Sequence, residues 1–491
     1  MRYWLLFIVI WAWSIDYHHV WQQDPSGIHF IRQTDGLSFA SQYYHQGPFF
    51  EPATFNQNAE NGQVACEFPV FYFITAQVYQ FTGIYFPVLR WIHGFISLFS
   101  LILLYRWFRM YTNNNLLIIG VALFWMSSVV YGYYAFNFLP DAPAVAFAIA
   151  AWGFGLRAIQ NDSGRHLILA AIFFGLAGMM KPTFFIHGIA FSITLFWVCW
   201  RNENRFHRPF YWSYWAMILL SALGILGWNL FVSQYNTAHH DDYFLITTRP
   251  IWKMDAESIR IVWDHVNHYW HRDYLARDVW KCFWMMLLMV VLRWKWVSQP
   301  LKYSIVFLFL GTLSYFILFF GQFRDHDYYA LNILPLFMLV GMAFVATIIE
   351  LIHSPWIKWV LILIIFSVGV SGWKTNNHKL RYRWVEKDTY YAGVGIQLKD
   401  GAQWLRHIPK EEPIAVIPDR TRNGSLLFTD HIGYTIFDST QVSQITQLRE
   451  DRLQYVIVLD SQYLKLPEIT QHWQLLEIDT ANNRYILGNP F

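Results

Sequence analysis

Apolar runs broken by short polar intervals recur along the first three quarters of the chain. Crossing a bilayer takes about 20 mostly apolar helical residues. Eleven segments reach or approach that length: 3–20, 86–106, 115–134, 141–159, 165–180, 183–200, 210–232, 279–297, 302–321, 331–350 and 355–373. Segment 68–82 (FPVFYFITAQVYQFT) is shorter and carries Gln77 and Gln80, so it predicts a helix at the membrane interface. Eleven spans and a cytoplasmic N-terminus put Arg106, Arg109, Arg157, Arg165, Arg201, Arg205, Arg208, Arg293, Lys295 and Lys302 in inner loops, as the positive-inside rule asks. A twelfth span at 68–82 would turn Arg201–Arg208 outward. Segments 21–85 and 233–278 then face outside, as does everything after residue 373.

Beyond residue 373 the period changes. GAQWLRHI (401–408) reads as a helix, PIAVIP (413–418) as a buried strand and VSQITQLREDRL (442–453) as an amphipathic helix. YVIVLD (455–460) is a second apolar strand, and 475–488 reads as a hairpin turned at Asn482–Asn483. Such alternation predicts a small parallel or mixed sheet. The tail carries neither a Gly-rich phosphate loop nor a nucleophile elbow.

Composition agrees with this division. Hydrophobic residues make up 55% of the chain and charged residues 14%, against about 25% charged in soluble proteins. Charged residues are about 24% of residues 374–491 and about 11% of those before them. The expected domains are therefore a membrane block, 1–373, and an extracytoplasmic α/β domain, 374–491. Aromatics reach 20%, and Trp and Tyr favour membrane–water boundaries. A net charge of +3 leaves no footprint for nucleic acid. Cys66, Cys199 and Cys282 match no zinc spacing and no disulfide framework. Met1 to Ser14 is apolar without a small-residue cleavage motif, which predicts an uncleaved first span.

A membrane block buries ionisable groups only with a partner or a purpose. Four clusters fall on the predicted outer side: Arg32 to Gly36, Cys66 to Pro69, Leu139 to Pro143 around Asp141, and Arg324-Asp325-His326-Asp327-Tyr328-Tyr329. Lys181 lies at an outer turn and Arg90 opens a span. Each has an ordinary explanation, since Asp35-Gly36 suits a turn, Asp141 suits a helix cap, and Arg90 and Lys181 can snorkel to headgroups. Together, acids and cations from distant segments meeting at one face are how an interfacial active site is assembled. His265, His268 and His271 recur at near-helical spacing. They read first as the polar side of an interfacial helix whose apolar side is Ile259, Val262, Val266 and Trp270, and second as metal ligands.

The order of these motifs resembles the dolichyl-phosphate-mannose protein mannosyltransferase relatives, including the bacterial lipid A aminoarabinose transferases (glycosyltransferase family 39-like). HFIRQTDGLSFASQYY (29–44) is similar to their acid-bearing outer loop, and EFPVFYFITAQVYQFTG (67–83) to their glutamate–x–proline helix. VLRWIHGFISLFSLILLYRWFR (88–109) resembles their next span, LPDAPAVAF (139–147) their acid after the third span, and MMKPTF (179–184) their lysine turn. Gly36 stands where many relatives have a second acid, and Phe68 where the aminoarabinose enzymes have lysine.

The resemblance implies a GT-C-like polytopic α-helical membrane protein of about eleven spans with a small C-terminal α/β soluble domain. It implies an inverting glycosyltransferase that moves a sugar from a polyprenyl-phosphate carrier to an extracytoplasmic glycolipid, polysaccharide or protein, in a bacterial inner membrane. Asp35 is then the base, and Glu67 and Asp141 bind hydroxyls or tune it. Arg90, Lys181, Arg324 and His326 face the carrier phosphate, with Asp327, Tyr328 and Tyr329 at the phosphate or sugar. No cofactor signature is present, and a requirement for a divalent cation stays open. The rival is a transporter or flippase, whose ionisable groups would sit near the bilayer midplane rather than at one face.

Overall fold

The computed structural model describes residues 2–201, 209–244, 247–349, 352, 354–385, 391–450 and 453–489. Arg205 and Arg208, residue 350 at the end of one expected span, and residues 451–452 lie outside the described residues. The chain forms two compact units. Residues 1–21, 93–229 and 246–382 make the first, and residues 22–92, 230–245 and 383–491 the second.

The first unit is helical, and the protein is a multi-pass membrane protein. Among the described residues seven helices are long and apolar enough to cross a membrane, and one bent pair raises this to eight. A helix stands at each of the eleven predicted positions, though four depart from a simple span. The first, Arg2–Ser14, has 13 residues and stops where Asp16 turns left-handed at φ 62°. Gly164–Met180 has 17 residues and Arg277–Leu292 has 16. The segment 115–134 is two helices, Asn115–Met126 and Val129–Ala135, bent by 83°. The break lies at Ser127–Ser128, where the Ser128 hydroxyl accepts from Tyr131 N–H and starts the second helix. At the other extreme, Pro355–Val385 runs unbroken through residue 374, past the predicted end of the last span.

Packing follows from side-chain size and from polar satisfaction. The first helix is latched by two buried indoles, Trp4 donating to Leu101 O and Trp11 to Met126 O, both at 3.0 Å. Asp141–Asn161 is rich in Ala and Gly, which lets neighbouring helices approach closely. A Cβ at Gly153 would overlap the Trp107 indole. Helix Pro209–Ala238 exposes Leu219, Leu220, Leu223 and Leu226, a surface suited to lipid rather than water.

The amphipathic helix expected near residue 265 forms as Ala256–His265. Ile259, Val262 and Val266 pack on Tyr315, Phe320 and Phe323 of the same unit, so its apolar side meets protein. A π-turn, Val266–Trp270, interrupts the regular spacing. His265 and His268 each bond a backbone carbonyl four residues back through Nδ1. Among the described residues no group of three His, Cys, Asp or Glu side chains is placed to hold a metal.

The second unit contains helices Phe30–Gln46 and Val70–Thr82 and a five-stranded mixed sheet. Its strands are β1 (Ile414–Ile417), β2 (Gly433–Thr435), β3 (Tyr455–Val458), β4 (Gln474–Asp479) and β5 (Arg484–Gly488), in the order β2-β1-β3-β5-β4. The central β1 is parallel to β2 and β3, while β5 is antiparallel to β3 and β4. Ile417, Val456, Val458 and Leu487 fill its core with Ile445 of helix Ser443–Glu450. Both predicted strands and the hairpin are present. The 401–408 helix shrinks to Gly401–Trp404, and β2 and helix Gly424–Thr429 were not anticipated. Phe428 of that helix stacks on Phe30, centroids 6.4 Å apart.

Candidate active site

Two polar clusters stand out, one in each unit. The cluster in the second unit is built around Asp35, on helix Phe30–Gln46, with its side chain wholly enclosed. Its Oδ1 accepts from Asn423 Nδ2 at 2.9 Å and its Oδ2 from the Tyr243 hydroxyl at 3.3 Å. Arg32, one helical turn earlier, approaches to 3.8 Å. The same Arg32 forms a two-pronged pair with Glu67, 3.0 Å to each carboxylate oxygen, and Tyr72 donates to Glu67 Oε1 at 2.7 Å.

The two carboxylates are driven apart in acidity. Burial raises Asp35, and Arg32, Asn423, Arg422 and Tyr243 offset this only in part, leaving it at about 6. Burial also raises Glu67, but the close Arg32 and the Tyr72 hydroxyl outweigh it and bring it down to about 2. One carboxyl is thus a permanent anion and the other is poised to exchange a proton near neutrality, the pattern expected of an acid–base pair. Burial pushes the Cys66 thiol well above its ordinary value, with Glu67 adding to the effect, so it is no thiolate.

Residues from far along the chain hold this cluster. Asp419 Oδ1 accepts from the Thr421 N–H and hydroxyl, both at 2.7 Å, and its Oδ2 from Ser425 N–H at 3.0 Å. These bonds shape the loop 419–425, which carries Arg422 and Asn423. Arg422 pairs with the enclosed Asp241 at 2.5 Å and lies over the Tyr243 ring, 4.6 Å from its centroid. Asn236 exchanges both amide groups with the Ala65 backbone, bracing the chain just before Glu67. Gly36 faces Tyr72, and a Cβ there would stand 3.1 Å from its hydroxyl oxygen. The missing second acid at 36 therefore makes room for the tyrosine that serves Glu67.

In the first unit, Asp141 opens helix Asp141–Asn161 and pairs closely with Lys181, which follows helix Gly164–Met180. The Lys181 ammonium also lies over the rings of Tyr328 and Tyr329, at 4.4 and 4.7 Å. His326 stacks on Tyr329. Asp327 is fully buried and accepts from the Tyr134 hydroxyl at 2.6 Å. Arg324 is half exposed, pairs with Asp325 at 3.3 Å, and lines a cavity of about 330 Å³ with Arg249 and Lys253.

Of the residues singled out in the sequence, Asp35 and Glu67 are joined through Arg32, and Asp141 joins Lys181, Tyr328 and Tyr329. Arg90, in the second unit, does not snorkel. It is 1% exposed and donates to the backbone carbonyls of Gln23 and Asp24. Sequence reasoning missed Arg422, Asn423 and Tyr243. Asp241 lies in the polar run His239-His240-Asp241-Asp242, whereas the loop around Asn423 reads as an ordinary polar turn.

The fold is that of the GT-C membrane glycosyltransferases. Residues 67–228 match the family model described as dolichyl-phosphate-mannose-protein mannosyltransferase. ArnT from Cupriavidus metallidurans, solved bound to undecaprenyl phosphate, superposes with a TM-score of 0.61 at 11% identity, over 98% of each chain. The oligosaccharyltransferase AglB from Archaeoglobus fulgidus, in complex with an inhibitory peptide and a dolichol-phosphate, gives 0.53 at 11% identity over 99% of this chain and 74% of its own. The arabinofuranosyltransferase AftD from Mycobacteria gives 0.55 at 13% identity over 100% of this chain and 40% of its own. No curated protein matches the chain.

Proposed function

We propose that the protein is an inverting glycosyltransferase that moves a sugar from a polyprenyl-phosphate carrier to an acceptor on the extracytoplasmic side of a bacterial inner membrane. The observation that carries this reading is the enclosed Asp35, held by Asn423 and Tyr243 and poised at about 6 beside a permanently ionised Glu67. The shared fold with ArnT, solved with undecaprenyl phosphate, supports the class of donor.

In this reading Asp35 takes the proton of the acceptor hydroxyl as its oxygen attacks the anomeric carbon. The bond from that carbon to the phosphate oxygen breaks, and the carrier leaves with the electron pair as polyprenyl phosphate. A positioned base contributes about 10²–10⁴-fold to such a step. Glu67 fixes Arg32, whose charge keeps Asp35 from being neutral throughout the physiological range. Lys181, held by Asp141 against Tyr328 and Tyr329, supplies positive charge for the carrier phosphate, where fixed charge stabilises the departing group. Arg324 and His326 serve the same anion, and Asp327, bonded to Tyr134, orders the 3-10 helical segment Asp327–Ile333 that bears the two tyrosines. The donor's apolar tail follows exposed span surfaces such as Leu219 to Leu226.

Mass spectrometry of envelope glycolipids and glycoproteins from cells with and without the gene tests this directly. A single sugar mass lost from one class, and restored by the wild-type chain but not by Asp35→Asn, is the expected result. Unchanged glycans together with altered uptake or export of a polar solute would favour a transporter.

A further inference from the structure

Helix Asp141–Asn161 has 21 residues, so its two ends are about 30 Å apart, the thickness of a bilayer's hydrocarbon core. Asp141, with Lys181, marks one end. At the other end a cavity of about 630 Å³ is lined by Arg157, Gln160 and Asn161 of this helix, by Arg106 in the last turn of helix Pro87–Phe108, and by Arg109 and Met110 just beyond it. Among the described residues no carboxylate lies within salt-bridge distance of these three arginines. Arg109 spends one N–H on the Asn113 carbonyl at 2.9 Å, and Gln160 donates to the Tyr111 hydroxyl at 3.1 Å. Membrane orientation asks only for cations at this face; it does not require three guanidinium groups and two amides to surround one cavity.

We propose that this cavity binds the phosphate headgroup of an anionic membrane lipid, at the face of the bundle opposite Asp141 and Lys181. Guanidinium groups match phosphate oxygens in pairs, and basic pockets between membrane helices are suited to such headgroups. The lipid, rather than a soluble phosphate, is the occupant, because Phe99, 53% exposed and two helical turns before Arg106 on the same helix face, offers apolar surface for acyl chains. The site is independent of the sugar-transfer reading.

The full chain, purified in mild detergent, is titrated with phosphatidylglycerol and followed by native mass spectrometry. Wild type retains a bound phosphatidylglycerol that phosphatidylcholine does not replace and millimolar inorganic phosphate does not displace. Arg106→Gln with Arg157→Gln weakens this binding by about ten-fold or more. Gln160→Glu with Asn161→Asp keeps every arginine but puts two carboxylates in the cavity, and weakens it as much. Equal binding by wild type and the acid-bearing variant would overturn the proposal. Equal retention of phosphatidylcholine, or displacement by inorganic phosphate, would overturn it as well.

Discussion

Asn423 donates its side-chain amide to Asp35 Oδ1 at 2.9 Å, across 388 positions of sequence. The orientation of that amide is dictated on its other side. Ser38 Oγ and Asn56 N–H both point at Asn423 Oδ1, at 3.2 and 3.3 Å, and Ser38 Oγ in turn accepts from Phe55 N–H. The amide oxygen is therefore committed to two donors, and its NH₂ must face Asp35, which holds that carboxyl as an acceptor. Asn423→Asp replaces the donor with a second acid and raises Asp35 further. The acidic limb of the pH–rate profile should move up by about one unit, with turnover at high pH recovering more than turnover near pH 6. A uniform loss at every pH would mark Asn423 as structural only.

Asp35→Asn should abolish sugar transfer while the protein still inserts and binds donor. Stability provides a second readout. The folded-state value of Asp35, about 6, lies above its ordinary 3.8. Its contribution is therefore fully present below pH 3.8 and is lost as pH rises through 6, a change of about 3 kcal/mol. Wild type should lose stability relative to Asp35→Asn between pH 4 and pH 8, measured by thermal unfolding in detergent.

Arg32→Gln leaves Glu67 partly buried without its cation. Removing one partner of such a pair costs about 3–5 kcal/mol. Glu67 is held down to about 2 against an ordinary 4.5, so its contribution is present above pH 4.5 and lost as pH falls through 2. Arg32 is also the main charge that offsets the burial of Asp35, so its removal raises Asp35 above 6. The loss in Arg32→Gln should therefore be larger at pH 8 than at pH 6, read from denaturant unfolding.

Gly36→Val should displace Tyr72, whose ring and hydroxyl lie 3.0–3.3 Å from the site of a Cβ, closer than ordinary van der Waals contact. Overpacking of this kind costs about 1–3 kcal/mol. Tyr72→Ala in the same background should restore space, so the two changes together should cost less than their sum in a double-mutant cycle.

Lys181→Met removes the partner of Asp141, which is 2% exposed. It should lower the unfolding temperature and weaken binding of the polyprenyl-phosphate donor, measured by titration of the purified protein. Lys181→Arg keeps the charge and should retain more donor affinity than the methionine variant, while acceptor binding stays unchanged in both.

The legibility of the candidate site followed the distance between its parts. Arg32 and Asp35 are one helical turn apart, and a charged pair at that spacing shows in the sequence. Asp141 after Pro140 and Lys181 before Pro182 stood out because charges in an apolar chain demand a reason. Arg422 gave no such signal. In a tail with ordinary charge content it looks like any solvated residue, and only folding removes it from water against Asp241.

The amino-acid sequence by itself determined where helices and strands form. Twenty apolar residues must satisfy their own backbone in lipid, which makes the spans helical, and runs such as YVIVLD must pair as strands. Hydropathy also marked where charge was anomalous. Tertiary structure alone decided which anomalous charges meet: Glu67 with Arg32, Asp141 with Lys181, and Asp35 with an asparagine in the last sixth of the chain. Apolar pattern is a local property repeated many times over, whereas a hydrogen bond between distant side chains depends on the path of the whole backbone between them.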